Sequence, residues 1–326
     1  MKINLFAKIS FAVLLAFVVS IFTYIAFGNI YSYPLLNYEN FKEQYTSGVY
    51  QYRFLGISIF IWVYELLENS RYEIILKTYF WDDVAEKNML LAYYFVNTFF
   101  LILSAVVMVL ILETKLFIIE NSEKLLLIAV SVFTICLSQF VLVPYDCLSY
   151  FWTFLFFLVF IKYLENFSTQ NLVLLLLILS FSTMTRESSA LEISLAATLL
   201  FPKYKFGKKT IISIGWMIFI FLFVYTGLRL IYGSFTIINF SRFTENFTYT
   251  RNILGIGFWV VFFMFGILTA KDKTASKNII IFHILSLPYI VFCVYTGNLY
   301  EIRLYVPIFL ISLFLAKISH FQKSLI

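Results

Sequence analysis

Apolar residues fill this chain in long runs from end to end, and short polar stretches separate the runs. Because a helix rises 1.5 Å per residue, about 20 consecutive apolar residues cross the ~30 Å hydrocarbon layer of a bilayer. The pattern therefore predicts about ten transmembrane helices, some of them short or tilted. They fall at residues 9–27, 89–112, 125–143, 148–162, two within 167–201, 210–232, 253–270, 279–297 and 304–316.

A long polar and aromatic stretch, residues 28–88, separates the first predicted span from the second. Within it lies a short apolar run, residues 55–67, which as a helix is only ~20 Å long. If that run crossed the membrane, every later loop would change sides. We therefore predict an interfacial or re-entrant helix at 55–67, inside a large first external loop.

The basic residues give the orientation, because cytoplasmic loops of membrane proteins carry the excess of Lys and Arg. The short loops 202–209 and 271–277 are the most basic. Placing them inside puts fourteen lysines and no arginine on the cytoplasmic side, together with both termini. Three lysines and all seven arginines then lie outside or at span ends that face outward. The predicted fold is an all-α polytopic membrane helical bundle, with a single domain over residues 1–326.

Composition agrees with this class and excludes several others. The chain is 62% hydrophobic and 13% charged, whereas soluble domains are about 25% charged. The net charge of +6 is explained by basic residues beside the spans, so no nucleic-acid partner is predicted. Three scattered cysteines and two distant histidines predict neither a disulfide framework nor a metal site built from them. These residues are Cys136, Cys147, Cys293, His283 and His320.

The apolar run 171–201 carries three charges, Arg186, Glu187 and Glu192. Each would cost about 2.5 to 3.5 kcal/mol near a bilayer centre unless a partner, a wet cavity or an interface accommodates it. We therefore interpret the run as two short spans that meet at 185–189. Glu192 would lie deeper, and structural pairing and function both explain it.

Other polar residues fall at external turns on the same side. These are Tyr145 and Asp146, Arg186 and Glu187, Glu301 and Arg303, with Arg53 and Glu39 from the first external loop. Singly, each has a structural explanation: Asp146, for example, would cap a helix that begins near Leu148. Together, arginines and carboxylates from four segments point to an anionic ligand, because the guanidinium fork matches phosphate and carboxylate.

A carboxylate that accepts a proton from a hydroxyl, beside arginines that hold a departing phosphate, is the minimum set for sugar transfer from a polyprenyl-phosphate carrier. Asp146, Glu187 and Glu39 are the candidates for the base or for a metal ligand. The candidates for substrate binding are Arg53, Arg186, Arg303 and Tyr145, with Glu301 holding Arg303 in position.

This layout resembles the GT-C class of integral membrane glycosyltransferases. Nearly the whole chain shares that architecture, and the motifs QYRFL (51–55), YDCLSY (145–150), TRESS (185–189) and YEIR (300–303) are similar to those of bacterial envelope proteins of this general sort. The resemblance implies two membrane-lying helices in the first external loop, at 55–67 and 71–88. Many members carry an Asp or an Asp-Glu pair soon after the first span, whereas this chain has Glu39 and Glu43. The choice of base therefore stays open.

The resemblance further implies an enzyme of the bacterial inner membrane that builds or modifies a cell-envelope glycan at the extracytoplasmic face. Its partners would be membrane lipid, a polyprenyl-phosphate-linked sugar and a glycan or lipid acceptor, with a divalent metal possible but not required. Three alternatives remain open: a polysaccharide polymerase, a non-enzymatic transporter or flippase of a lipid-linked anion, and a scaffold subunit that binds a partner through its external charges.

Overall fold

The computed structural model describes residues 4–28, 30–46, 50–70, 80, 84–233 and 242–319. Within them the protein is all-α, with fourteen α-helices and no strand. They are α1 Leu5–Phe27, α2 Tyr38–Thr46, α3 Phe54–Glu68, α4 Lys87–Leu112, α5 Asn121–Ser138, α6 Asp146–Glu165, α7 Thr169–Thr185, α8 Ala190–Tyr204, α9 Lys208–Tyr232, α10 Phe243–Thr248, α11 Thr250–Leu268, α12 Lys273–Leu285, α13 Leu287–Thr296 and α14 Val306–Leu315.

Six of these helices are long and apolar enough to cross a membrane: α1, α4, α5, α6, α9 and α11. Helices α12 and α13 are together long and apolar enough to form a seventh span, which is bent by 52° at Ser286. The chain is thus a multi-pass membrane protein, but only six or seven of the about ten expected spans meet this length criterion. The difference arises because three helices are too short: α7 has 17 residues, α8 has 15 and α14 has 10.

The predicted break within 167–201 is present, since α7 ends at Thr185 and α8 begins at Ala190. Arg186 has φ −163° and ψ 147°, an extended conformation that no α-helix can continue through. The predicted single span at 279–297 is instead the bent pair α12 and α13. Pro288 lies in the first turn of α13, where a missing N–H leaves no hydrogen bond unmade. In the interior of one continuous helix the same proline would remove a backbone hydrogen bond and kink the chain.

The centre of the bundle is α4 packed against α1, α3, α5 and α6, with α6 also packed on α7 and α8. One large apolar core joins α1, α4, α5, α6, α7 and α8 to α14. A smaller core anchors the segment between α1 and α4, where the rings of Phe41, Phe60 and Tyr93 pack together at the start of α4. Helices α9 and α11 are largely uncovered and expose apolar side chains, as expected of surfaces that face lipid.

A helix is present where the sequence predicted one within residues 28–88. Helix α3 covers the apolar run 55–67 and packs against α4 and α7. With 15 residues it is too short to count among the candidate spans. The second helix expected at 71–88 lies mostly outside the described residues, which include only 80 and 84–88 of that range.

The two ends of the bundle differ in charge. At one end, which we call the lysine end, Lys8 and Lys124 pair with Glu113 at 2.6 and 3.0 Å, and Lys317 pairs with Glu123. The start of α1 and the end of α14 both lie at this end. The burial of Glu113 raises the pKa of its carboxyl, but the two lysines outweigh burial and hold the pKa below its ordinary value. Arg53, Arg186, Arg229 and Arg303 lie at the opposite end, which we call the arginine end.

Candidate functional site

The innermost pair at the arginine end joins the start of α6 to the end of α7. Oδ1 of Asp146 accepts a hydrogen bond from Nη1 of Arg186 at 2.8 Å, and both side chains are buried. Nη1 of Arg303 lies 3.8 Å from Oδ2 of Asp146, and Nη2 of Arg186 donates to the backbone carbonyl of Arg303 at 3.3 Å. One fully buried carboxylate thus holds two arginines from two different turns.

Glu301 provides the second carboxylate, in the turn that precedes α14. Nη2 of Arg303 lies 2.7 Å from Oε2 of Glu301, and Asn298 and Tyr31 donate to Oε1 at 3.2 and 3.3 Å. Burial raises the pKa of Glu301, but Arg303 and these donors outweigh it and hold the pKa below its ordinary value. Glu301 is therefore ionised at neutral pH and fixes Arg303, as the sequence predicted for it.

Glu187 provides the third carboxylate, in the short 3-10 turn Glu187–Ser189. Nη2 and Nε of Arg53 both lie 3.3 Å from its Oε2, and Nη2 of Arg229 lies 3.5 Å from its Oε1. Burial raises the pKa of Glu187, but Arg53 and Arg229 hold it below its ordinary value. Its side chain keeps 19% of its surface exposed, and that of Arg53 keeps 18%, so this pair is the more accessible part of the site.

Tyr145 connects the Asp146 part of the site to the Glu187 part. Its hydroxyl accepts a hydrogen bond from Nη1 of Arg53, whose guanidinium carbon lies 4.3 Å above the tyrosine ring. The ring of Tyr50 packs edge-on against Tyr145 at 5.6 Å. A Cβ at Gly56 would lie 2.6 Å from Cβ of Tyr145, so only glycine allows α3 to approach the turn that carries Tyr145 and Asp146 this closely.

We call these eight residues the arginine–carboxylate cluster: Arg53, Tyr145, Asp146, Arg186, Glu187, Arg229, Glu301 and Arg303. Seven of the eight residues predicted from the sequence belong to it. Four guanidinium groups face three carboxylates, which leaves one net positive charge. The turns were expected to present these groups at the outer interface, but Asp146, Arg186 and Glu301 are buried, with at most 8% of each residue exposed.

Glu39 is the predicted residue that lies apart from the cluster. Its side chain is 77% exposed, and within the described residues it pairs only with Lys42, at 3.9 Å. Glu192 is also separate and fully buried in α8. Its Oε1 accepts hydrogen bonds from Ser182 and Thr153, while Oε2 has no hydrogen-bond partner in the described part of the chain. Hydroxyl groups, not a cation, therefore accommodate this deep carboxylate.

Sequence reasoning placed Arg229 outside without assigning it to the site, because this residue lies in the last turn of the long apolar helix α9. Its side chain is 2% exposed. Tyr225, four residues earlier, lies on the same helix face, and its ring centroid is 3.4 Å from the guanidinium carbon. That Tyr-to-Arg spacing is the sequence signal that would have indicated a buried arginine.

An open cavity of about 530 Å³ lies beside the cluster. Its lining includes Arg242, Glu245, Tyr249, Asn298 and Tyr300. Asn298 donates to Glu301, and the hydroxyl of Tyr300 contacts that of Tyr31, another partner of Glu301. The cavity and the cluster therefore share a wall. Across the described part of the chain, no three His, Cys, Asp or Glu side chains converge as metal ligands, and the three cysteines are free and buried.

The fold and this cluster define the chain as a multi-pass, all-α membrane protein with buried arginine–carboxylate pairs at one end. The chain matches no family model, no curated protein and no solved structure at a significant level. Its function must therefore be inferred from the chemistry of the arginine–carboxylate cluster.

Proposed function

We propose that the chain is an integral membrane glycosyltransferase of the GT-C class, with about ten spans in all. It transfers a sugar from a polyprenyl-phosphate carrier at the extracytoplasmic face of a bacterial inner membrane, to build or modify a cell-envelope glycan. One observation carries the proposal: five segments that are distant in sequence bring Arg53, Asp146, Glu187, Arg229 and Arg303 together at one end of the bundle.

Glu187 is the proposed base, because it is ionised at neutral pH and keeps part of its carboxylate accessible. It takes the proton of the acceptor hydroxyl as that oxygen attacks the anomeric carbon of the donor sugar. The bond from the anomeric carbon to the phosphate oxygen breaks, and the electron pair leaves with the phosphate. Arg53 stabilises the negative charge that develops there, so positive charge at the leaving group comes from arginine, with no step through a metal.

Asp146 and Glu301 are positioning residues in this scheme. Asp146 is fully buried between Arg186 and Arg303, and a carboxylate without access to substrate is a poor candidate for the base. Its role is to fix the turn of α7, and with it the adjacent Glu187. Tyr145 holds Arg53 from the neighbouring position. The cavity beside Glu301 offers space for a glycan or lipid acceptor.

The direct test is transfer by the purified chain in proteoliposomes, with a radiolabelled polyprenyl-phosphate sugar and an extract of envelope glycan as acceptor. We expect Glu187→Gln to abolish transfer of label and Arg53→Gln to reduce it by about 100-fold or more, as the loss of one charge-stabilising donor does. The matched control is Glu65→Gln, which changes an exposed carboxylate in α3, the helix that Arg53 precedes.

Full transfer by Glu187→Gln at a normal protein level would overturn the proposed base. The transporter alternative is separated in the same vesicles, because it predicts movement of labelled lipid between the leaflets with no transfer of sugar. The scaffold alternative predicts neither activity.

A further inference from the structure

The guanidinium of Arg229 is buried but incompletely bonded. Nη1 donates to the backbone carbonyl of Tyr225 at 3.3 Å, and the rings of Tyr225 and Tyr52 lie 3.4 and 4.5 Å from the guanidinium carbon. Among the residues that the structure describes, Nε and Nη2 have no hydrogen-bond acceptor, although the side chain is 2% exposed. These two nitrogens form one planar edge of the guanidinium, which binds the two oxygens of a carboxylate or phosphate side by side.

Buried polar groups are normally hydrogen-bonded, and a buried charged donor without an acceptor costs more than a neutral one. The free edge of Arg229 therefore has no acceptor within the described residues, and an anion bound from outside would supply one. The carboxylate of Glu187 does not fill this role, because Nη2 of Arg229 lies 3.5 Å from its Oε1 without a hydrogen bond.

The whole Glu187 part of the cluster is loosely closed. Charge-assisted N–H···O bonds are usually about 2.7 to 2.9 Å long, and the Asp146–Arg186 pair has this length at 2.8 Å. The contacts of Glu187 with Arg53 and Arg229 are 3.3 to 3.5 Å. Two arginines share this one carboxylate, so a positive charge is left uncompensated where the ion-pair contacts are longest.

The surroundings favour an anion attached to a lipid. The two residues after Arg229 on α9, Leu230 and Ile231, are 78% and 75% exposed, and Phe223 is 66% exposed. Apolar surface of this kind on a membrane protein contacts acyl chains. The anionic group that bilayer lipids present at the end of a span is phosphate.

We infer that Arg229 and Arg53 form a binding site for a phosphate group, in which Arg229 supplies a two-nitrogen edge and Arg53 the second positive charge. The inference deepens the proposed function, since the phosphate of a lipid-linked donor would occupy the same site. It stands apart from sugar transfer in its test, which measures binding alone.

The experiment uses the full chain in neutral detergent and in nanodiscs. Inorganic phosphate is titrated into the detergent sample by calorimetry, and thermal stability is compared between nanodiscs of phosphatidylcholine with and without phosphatidic acid. We expect phosphate to bind and one or both anions to raise the melting temperature. Loss of two charge-assisted hydrogen bonds in Arg229→Gln should weaken binding about tenfold or more. Arg229→Lys keeps the charge without the planar edge, so its affinity should lie between the two.

Lys42→Gln removes an exposed cation of the first external loop and should bind like the wild type. The anion-free melting temperature shows that each variant is folded. We expect it to be unchanged in Arg229→Gln, because Glu187 keeps Arg53 as a partner and a buried unfilled donor edge is removed. Protection by phosphatidic acid alone assigns the site to a lipid headgroup, and protection by both anions assigns it to phosphate in general.

No binding of either anion by the wild type, or equal binding by the wild type and Arg229→Gln, would overturn the site. Anion binding without any sugar transfer would instead leave the site in place and reject the proposed transferase, so the two failures are distinct.

Discussion

Oδ1 of Asp146 and Nη1 of Arg186 lie 2.8 Å apart at the ends of two different helices, and these side chains are 0% and 3% exposed. Removing one partner of such a buried pair leaves an uncompensated charge and costs about 3 to 5 kcal/mol. Asp146 also faces Arg303 at 3.8 Å, whereas Arg186 faces Asp146 as its single carboxylate partner in the described chain. The two residues are therefore not equivalent.

We expect Asp146→Asn to destabilise the protein by about 3 to 5 kcal/mol and Arg186→Gln by less, because Asp146 then keeps Arg303. The double variant should lose less than the sum of the two single losses, since each partner's burial is a penalty only when it is unpaired. Denaturant unfolding in detergent, followed by tryptophan fluorescence, measures all three variants. Lys42→Gln, which breaks an exposed pair with Glu39, should cost about 0 to 1 kcal/mol; an equal loss in Lys42→Gln and Asp146→Asn would contradict the buried pair.

Acid should weaken the arginine end. The pKa values of Glu187 and Glu301 are lower in the folded protein than their ordinary value of 4.5. Their contribution to stability is therefore complete above the unfolded pKa and is lost as the pH falls below it through the lower folded pKa. We expect the contribution of these two carboxylates to the free energy of unfolding to be nearly constant from about pH 7 to 5 and to fall below about pH 4.5.

The variant Glu301→Gln isolates one part of this effect. It should be less stable than the wild type at neutral pH and should approach the wild type at the acid end, because the lost interaction is the one that protonation removes. Glu65→Gln, which changes an exposed carboxylate outside the cluster, should run parallel to the wild type. A wild-type pH dependence in Glu301→Gln would assign the acid lability elsewhere.

Gly255 allows α11 to pack directly against the backbone of Leu299 and Tyr300. A Cβ there would lie 1.8 Å from the carbonyl oxygen of Leu299 and 2.9 Å from the backbone nitrogen of Tyr300. We expect Gly255→Ala to displace the turn that carries Glu301, with a loss of about 1 to 3 kcal/mol from overpacking. Gly257→Ala, two residues along α11, meets nothing within 4 Å and should gain up to about 1 kcal/mol of helix propensity. Similar losses in both variants would show that α11 does not rest on this turn.

Periodicity and charge predicted much of the architecture. The runs of apolar residues indicated the helical class, and Arg186 and Glu187 marked the break between α7 and α8. Lysines and arginines were assigned to opposite ends because their loops alternate along the chain, and the ion pairs of Lys8 and Lys124 lie at one of these ends.

Burial and pairing were harder to predict. Asp146 appears in sequence as an ordinary helix start, and only the packing of α3, α6 and α7 shows that no water reaches it. Arg229 lies in an apolar helix, where sequence alone does not reveal that Tyr52 and Glu187 approach it from other segments. Both depend on tertiary contacts between segments that are far apart in sequence, which periodicity does not encode.

Glu192 tests whether a buried carboxylate without a cation is needed for stability. Ser182 and Thr153 donate to its Oε1, and no described residue donates to its Oε2. Glu192→Gln keeps an oxygen that can accept from Ser182 and Thr153. We therefore expect the melting temperature in detergent to stay within a few degrees of the wild type, which corresponds to a loss of less than about 1 kcal/mol. Glu192→Leu removes that acceptor and leaves two buried hydroxyls without it, at about 1 to 3 kcal/mol. A large loss in Glu192→Gln would instead indicate that its charge is stabilised by a partner.

Sidedness decides which donors the site can meet, and single-cysteine labelling measures it. The three native cysteines are at most 4% exposed, so an introduced cysteine provides the signal. Arg251 is exposed at the start of α11 and Lys208 is exposed at the start of α9, which places them at the arginine end and the lysine end respectively. We expect a membrane-impermeant maleimide to label Arg251→Cys in intact cells and Lys208→Cys only after permeabilisation, because lysine-rich loops face the cytoplasm. The reverse result would place the arginine–carboxylate cluster at the cytoplasmic face, where soluble nucleotide-linked sugars are available, and the position of the site would no longer favour a lipid-linked donor.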